Sequence, residues 1–532
     1  GGLILLTVWG YRSLPIGFIP PQDKGFLLAS IELPDAASVE RTIAVVEKAS
    51  RIALEIPGIQ HVSAVAGNSF VLNSYGSNYG SMFIILDRFD ERSEPGRDAF
   101  TIATAMRKRF AEEVPEAKLS VFPPSAVPRL GRAGGIKMMI EDRSELGAKV
   151  LAGQTDNLVE RGNEQPVIDG LFNSFRTDAP QLFVDVDYAA CASLGVDVRD
   201  VYATMQASLG TRYINDFNKF GRTWQVNIQA EPRFRDRPDD IHKLRIKARD
   251  GRLVPLGAVA TVREITGPLV LNRYNMYPAA AINGNAAAGA SSGDAIAVME
   301  QLAERELPPG MAAEWTELTF IEKRAQGTGI LIFGISVVVV FLVLAALYES
   351  WVLPLAVILV VPMCVSCSLV GVWLARQDIN IFTQIGFIVL IGLACKNAIL
   401  IVEYAKWQRE AGADRRTAVL TACRLRLRPI IMTSAAFILG VVPLVLADGA
   451  GAEMRRVLGT AVFSGMLGVT AFGIFLTPVF FIVVDWATTT PFFRSSWLQA
   501  LSRALLWLLA LGWARSLWNT LARRLVTGSP RR

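Results

Sequence analysis

Lys396 stands within an otherwise apolar segment. The residues before it, Ile379–Cys395 (INIFTQIGFIVLIGLAC), carry no charged side chain, and Asn397 and AILIV follow before Glu403. A lone ammonium in hydrocarbon costs about 2.5–3.5 kcal/mol on insertion scales, so such a lysine faces a bundle interior and has a partner. The chemistry this allows is reversible charge pairing. An ammonium keeps an opposing carboxylate ionised, and protonating that carboxylate frees the ammonium to reorient. The other apolar runs, Gly329–Leu347, Val352–Ala375, Pro429–Ala447 and Val457–Val484, contain no Asp or Glu. The expected partner is therefore missing from them, as though the chain were part of a larger machine. Arg426 and Thr433 are seven residues apart, which places them two turns apart on one helical face. Each of the three also has a plainer reading. The Lys396 stem could snorkel toward the interface, Arg426 could follow from ordinary charge placement in a basic loop, and the Thr433 hydroxyl could bond to its own helix.

Other chemistries find no support. His61 and His242 are the only histidines and lie far apart in the chain. No GxxxxGK[ST] loop is present, so ATP is not expected as the energy source. Cys364-Val-Ser-Cys367 has CxxC spacing but sits in an apolar run without a nearby His, where small residues serve helix packing. Neither a metal site nor an enzyme constellation is expected. The net charge of +6 does not point to nucleic acid, because much of the excess flanks apolar runs.

The elements that position Lys396 follow from hydropathy. Five runs of about 19–28 residues after Thr328 are each long enough to cross about 30 Å of hydrocarbon. The stretch Lys406–Arg428, read as a loop, has seven Lys/Arg against two acids and is placed on the cytoplasmic side. By alternation the large domain before Thr328 is external, periplasmic in a Gram-negative cell. GGLILLTVWGYRSLP is too short an apolar run to span and lacks the basic start of a signal peptide. It reads as the outer end of a truncated spanning helix, 1–11. Residues 487–532, with Leu and Trp alternating with Arg at helical spacing, read as a cytoplasmic amphipathic tail.

The external part repeats itself. Over 25–123 the order is strand, helix, strand, strand, helix, strand, the split βαβ pattern of ferredoxin-like units. GFLLASIEL alternates as a strand, and Ala37–Glu55 has helical periodicity. The order restarts at Ile136, breaks for about ninety residues and resumes at AAAINGNA. The second unit is thus read as two parts, 135–180 and 268–318, around an insertion at 181–267 with its own strands. Within the insertion, YINDFNKFGRTW is polar with Gly221 at a turn, a protruding element suited to a partner.

Several motifs carry a family resemblance. GFIPPQDKG (Gly17–Gly25), AALYESW (Ala345–Trp351), IGLACKNAILIVEYAK (Ile391–Lys406) and RLRPIIMTSAAFILGVVPL (Arg426–Leu444) resemble, in order, segments of the C-terminal half of RND (resistance–nodulation–division) efflux transporters. The resemblance is to the hydrophobe/amphiphile branch of the AcrB type and covers nearly everything from Gly17 to Asp485. It implies an α+β membrane protein with a transmembrane helical bundle over 328–486, two ferredoxin-like periplasmic porter units and an inserted docking subdomain. It also implies a proton relay of Lys396, Arg426 and Thr433, opposed by two aspartates in an N-terminal half that this chain lacks. For substrate contacts it implies Phe70, Phe83, Phe122 and Arg176, although Asn68 stands where the family often has phenylalanine. For each phenylalanine, core packing is the competing reading.

The implied function is proton-driven export of amphiphilic compounds from the inner membrane, without a cofactor beyond the proton gradient. The implied partners are the N-terminal half, two further copies in a homotrimer, a periplasmic adaptor and an outer-membrane channel. The alternatives are an inactive fragment and a lipid- or protein-handling member of the superfamily. A metal-exporting member is disfavoured, because adjacent Met138 and Met139 on one strand cannot both face a cleft.

Overall fold

The computed structural model describes residues 2–488 apart from 93, 95 and 288. A first helix, α1 (Gly2–Ser13), leads into a sheet layer. Its elements are β1 (Phe26–Glu32), α2 (Val39–Leu54), β2 (Ile59–Ser69), β3 (Ser74–Leu86), α3 (Ala99–Glu113) and β4 (Lys118–Phe122). The strands are antiparallel in the order β2-β3-β1-β4. α2 buries Thr42, Val45, Val46, Ala49, Ile52 and Ala53, one stripe at helical period. α3 starts where Asp98 accepts the Phe100 and Thr101 amides, both at 3.0 Å.

The next elements are β5 (Ile136–Asp142), α4 (Ala148–Asn163) and β6 (Ile168–Asn173). A turn joins β5 to α4, in which the Asp142 carboxylate accepts the Ser144, Leu146 and Gly147 amides. Burial pushes that carboxyl up, and the ring of amides more than reverses the effect, holding it below its ordinary value.

Residues 34–38 and 175–271 form a second compact unit. It contains β7 (Ala179–Val186), α5 (Tyr188–Leu194), α6 (Val198–Ser208), β8 (Arg212–Lys219), β9 (Arg222–Ile228), α7 (Pro238–Lys243), β10 (Arg245–Lys247), β11 (Leu253–Pro255) and β12 (Ala260–Gly267). Val186, Cys191, Val201, Ile246, Leu256 and Val259 make its core. β8 and β9 form an exposed hairpin turned by Phe220 and Gly221, both at positive φ, which suits a two-residue turn matched to strand twist.

The remaining elements belong to the first unit: β13 (Asn272–Tyr274), β14 (Tyr277–Ala286), α8 (Ser292–Glu306), β15 (Met311–Trp315) and α9 (Glu317–Ala325). The second sheet runs β13-β14-β5-β15, with β6 also on β14. Its path β6-β14-β5-β15 has the same strand order as β2-β3-β1-β4.

Six helices follow: α10 (Thr328–Tyr348), α11 (Leu353–Ile358), α12 (Val361–Leu374), α13 (Ile381–Glu410), α14 (Arg415–Val445) and α15 (Ala452–Thr488). Taking α11 and α12 as one interrupted segment, five are long and apolar enough to cross a membrane among the described residues. The break falls before Pro362, whose missing N–H suits the first turn of α12. The bundle core includes Val357, Val360, Leu390, Ala394, Met466 and Phe481. A Cβ at Gly468 would strike Cys367, so this cysteine fills a close helix contact.

The basic stretch read as a loop to Arg428 is mostly helix. Only 411–414 turn, and α14 begins at Arg415 with Asp414 accepting the Arg416 amide. Ala, Leu and Arg favour helix, and Ala418, Val419 and Ala422 give this extension a buried stripe. From 489 onward the expected amphipathic tail lies outside the described residues.

Candidate functional site

α13 and α14 form an antiparallel pair whose contacts run in register around Lys396. Asn380 starts α13 by accepting the Phe382 and Thr383 amides at 3.0 and 3.2 Å. Sixteen residues on, the Lys396 ammonium lies 4.7 Å from the centroid of the Phe437 ring on α14. Next to it, buried Asn397 donates through Nδ2 to the buried Ser434 hydroxyl at 2.9 Å. Two turns beyond, the Arg426 guanidinium lies 5.2 Å from the Tyr404 ring centroid.

Arg426, Ile430, Thr433 and Phe437 recur at helical spacing, so Phe437 is one turn past Thr433 on a shared face. Thr433 itself donates to the Ile430 carbonyl of its own helix at 3.2 Å. The structure thus brings Lys396 and Arg426 to the α13–α14 seam through aromatic rings, with Thr433 on that stripe. Among the described residues no carboxylate makes an ion pair with Lys396. The Arg426 Nε is buried without a hydrogen-bond partner among them. A small cavity adjoins the seam, lined by Ala394, Asn397, Ile401, Ile430, Gly473 and Thr477.

The sequence pattern alone does not single out Asn397, Ser434, Phe437 or Tyr404. The available signals were a polar neighbour of Lys396 in mid-span and an aromatic one turn from Thr433.

The aromatic residues converge elsewhere. Leu28 on β1 is flanked by Phe83 on β3 and Phe122 on β4, one row across the sheet. Phe70 meets Phe83 edge-on with centroids 5.7 Å apart, and Phe122 stacks on Phe172 of β6 at 5.7 Å. Phe172, which the sequence pattern does not single out, links the first sheet to the second. Arg132 holds the corner, donating to the Phe70 carbonyl at 2.9 Å. Phe122 and Phe172 are buried, while Phe83 is 37% exposed. Arg176 lies in the second compact unit, where it acts on Asp35. Burial raises the Asp35 carboxyl, Arg176 opposes that rise, and Asp178 adds to it.

A buried ion pair fixes the first sheet to the chain entering it. Asp23 takes both Arg92 terminal nitrogens, at 2.5 and 2.8 Å, and the Ala99 and Gly25 amides at 3.0 and 2.9 Å. Burial would raise the Asp23 carboxyl. The guanidinium and amides outweigh that and hold it below its ordinary value. The Asp23 amide in turn donates to Glu453 of α15 at 3.3 Å.

Lys396 is exposed in this chain and Phe437 is 39% exposed, so the lysine lies on the outer edge of the α13–α14 seam and not in the bundle interior that its sequence predicts. A bundle of apolar helices with a cation at the edge of a helix seam, joined to two sheets of matching strand order, defines a polytopic membrane protein of mixed helix and strand. Residues 1–485 match the model of the AcrB/AcrD/AcrF family. The chain is 37% identical over 483 residues to the multidrug/solvent efflux pump membrane transporter MepB of Pseudomonas putida, covering 91% of this chain and 46% of that protein. It is 35% identical over 485 residues to the multidrug export protein AcrF of Escherichia coli K12, covering 91% and 46%. To the multidrug resistance protein MdtF of the same strain it is 36% identical over 480 residues, covering 89% and 46%. The chain belongs to the AcrB/AcrD/AcrF family, the AcrB type of RND multidrug efflux transporters. It spans about half the length of the curated relatives it matches.

Proposed function

We propose that this chain supplies the C-terminal half of a proton-driven pump that exports amphiphilic compounds across the inner membrane. The observation that carries the reading is Lys396, a charged side chain on an apolar helix seam, resting on an aromatic ring instead of a carboxylate. Such an ammonium is poised to exchange between the ring and carboxylates that protonate and deprotonate. In this reading the carboxylates come from an N-terminal half, Arg426 shapes proton and water access, and Thr433 lines the same route.

The two sheets act as ferredoxin-like porter units, with the second compact unit as the docking subdomain. Phe83, backed by Phe70, Phe122 and Phe172, offers the contact surface for apolar cargo, and Arg176 in the second compact unit is a further substrate contact. The pump works as a homotrimer with a periplasmic adaptor and an outer-membrane channel. The relatives' names, which speak of multidrug and solvent export, support the cargo class.

Whole-cell efflux of an amphiphilic dye tests this. In efflux-deficient cells, the chain with an N-terminal half is expected to give export that collapses with the proton gradient. The chain by itself is expected to leave susceptibility unchanged. Proton-dependent efflux from the chain by itself would overturn the assignment of the carboxylates to another half.

A further inference from the structure

We propose that Glu322 is a proton-binding coupling residue, whose protonation sets how α8 and α9 hold the entrance of α13. The use of this joint in transport rests on the reading above, whereas the protonation itself does not.

Glu322 lies on α9, just before α10, and is 7% exposed. It accepts the Ser292 hydroxyl, at the first residue of α8, at 2.6 Å. The same Ser292 oxygen accepts the Phe18 amide at 3.3 Å. The segment around Phe18 is laced to the residues that start α13. Ile379 N–H donates to Pro15 O at 2.9 Å, Gly17 N–H to Ile379 O at 3.2 Å, and Ile381 N–H to Phe18 O at 3.1 Å. Gly17 packs against Asp378 so closely that a Cβ would strike its carboxylate. Asp378 accepts from Asn380, the N-cap of α13, at 2.8 Å. α10 is seated on α13 as well, since a Cβ at Gly329 would strike the Gln384 side chain. One buried carboxyl therefore sits where the second sheet, α10 and the helix of Lys396 are tied together.

The charges around it are one-sided. The 376–380 loop brings Asp378 and the exposed Arg376. On α8, Asp294 is taken up by the Ser291 amide and hydroxyl. On α9, Lys323 pairs with Glu300 and Glu317 with Lys137. Among the described residues no cation pairs with Glu322 or Asp378. Burial pushes the Glu322 carboxyl up, Ser292 pulls it down and Asp378 raises it further, leaving it at about 7. Asp378 is also raised by burial, against the Asn380 bond. In the ionised form Ser292 donates to Glu322. In the protonated form the carboxyl is itself a donor, so the Ser292 oxygen accepts from Glu322 as well as from the Phe18 amide. The proton thus changes a hydrogen bond to the segment that is laced to the α13 entrance.

Infrared titration of the purified chain tests this directly, without any transport readout. A protonated-carboxyl band that titrates near pH 7 is expected in wild type and lost in Glu322→Gln. The neighbours provide a signed control. Ser292→Ala removes a bond to the ionised form, so the midpoint should rise. Asp378→Asn removes a like charge, so the midpoint should fall. Hydrogen exchange at the first turn of α13 should change over the same pH interval in wild type and not in Glu322→Gln. A band unchanged in Glu322→Gln, or neighbour shifts absent or of the wrong sign, overturns the proposal. If the titration holds while dye efflux fails, only the transport reading falls.

Discussion

The ammonium of Lys396 rests over the ring of Phe437, one helical turn past Thr433 on the facing helix. A cation on an aromatic face gains about 0.5–1 kcal/mol when exposed and about 2 when desolvated. That is less than a buried carboxylate can offer, so in the proposed cycle an ionised acid would draw the lysine away from the ring. In the transporter, Lys396→Ala should abolish efflux with expression retained. Phe437→Leu should change the rate by no more than about thirtyfold, because only the resting contact is lost. Arg426→Ala and Thr433→Ala should be milder than Lys396→Ala. Dye-efflux rates at matched expression check all four.

Asn397 and Ser434 share a buried hydrogen bond beside that lysine. Ser434→Ala leaves the amide of Asn397 without its partner, at about 1–3 kcal/mol. Denaturation in detergent should show that loss, and the double variant Asn397→Ala/Ser434→Ala should lose less than the sum of the singles. Strict additivity would mean that the bond does not hold the seam.

The sequence made the spans and Lys396 legible because both rest on composition: long uncharged runs, and one cation within them. The strand order of each sheet was legible because alternation and helical period survive in its elements. The partners of the seam were not. Ser434 and Phe437 look like ordinary span residues until the α13–α14 register sets them against Asn397 and Lys396. Phe172 reads as core from its strand, and only the packing of β6 on β4 reveals its stack with Phe122. Glu322 hides in an amphipathic helix, since burial depends on the fold around it.

Asp23 and Arg92 supply a pH test outside the bundle. The Asp23 carboxyl is held below its ordinary 3.8 in the folded chain. Its contribution is therefore present above that value and lost as pH falls through the lower, folded value. Thermal unfolding of wild type should weaken below about pH 4. Arg92→Ala should cost about 3–5 kcal/mol near neutral pH, because it strands a buried carboxylate. A variant as stable as wild type there would show that the pair is not structural.

The aromatic cluster separates cargo contact from core packing. Phe122 is 2% exposed and stacked on Phe172, so Phe122→Ala should cost about 3–5 kcal/mol of stability whatever the cluster does. Phe83 is the better probe. It is 37% exposed and touches Phe70 edge-on, so Phe83→Ala removes exposed ring surface with little loss of packing. If the cleft holds amphiphiles, Phe83→Ala should change which compounds are exported, weakening bulky aromatic ones more than small ones, while proton dependence stays intact. Lys396→Ala should do the reverse, losing all compounds alike. Efflux measured across several compounds of graded size, with unfolding curves for each variant, distinguishes the cases. A Phe83→Ala pump that loses every compound equally, or a Lys396→Ala pump with an altered range of compounds, would undo the division between a membrane engine and a cargo site in the sheets.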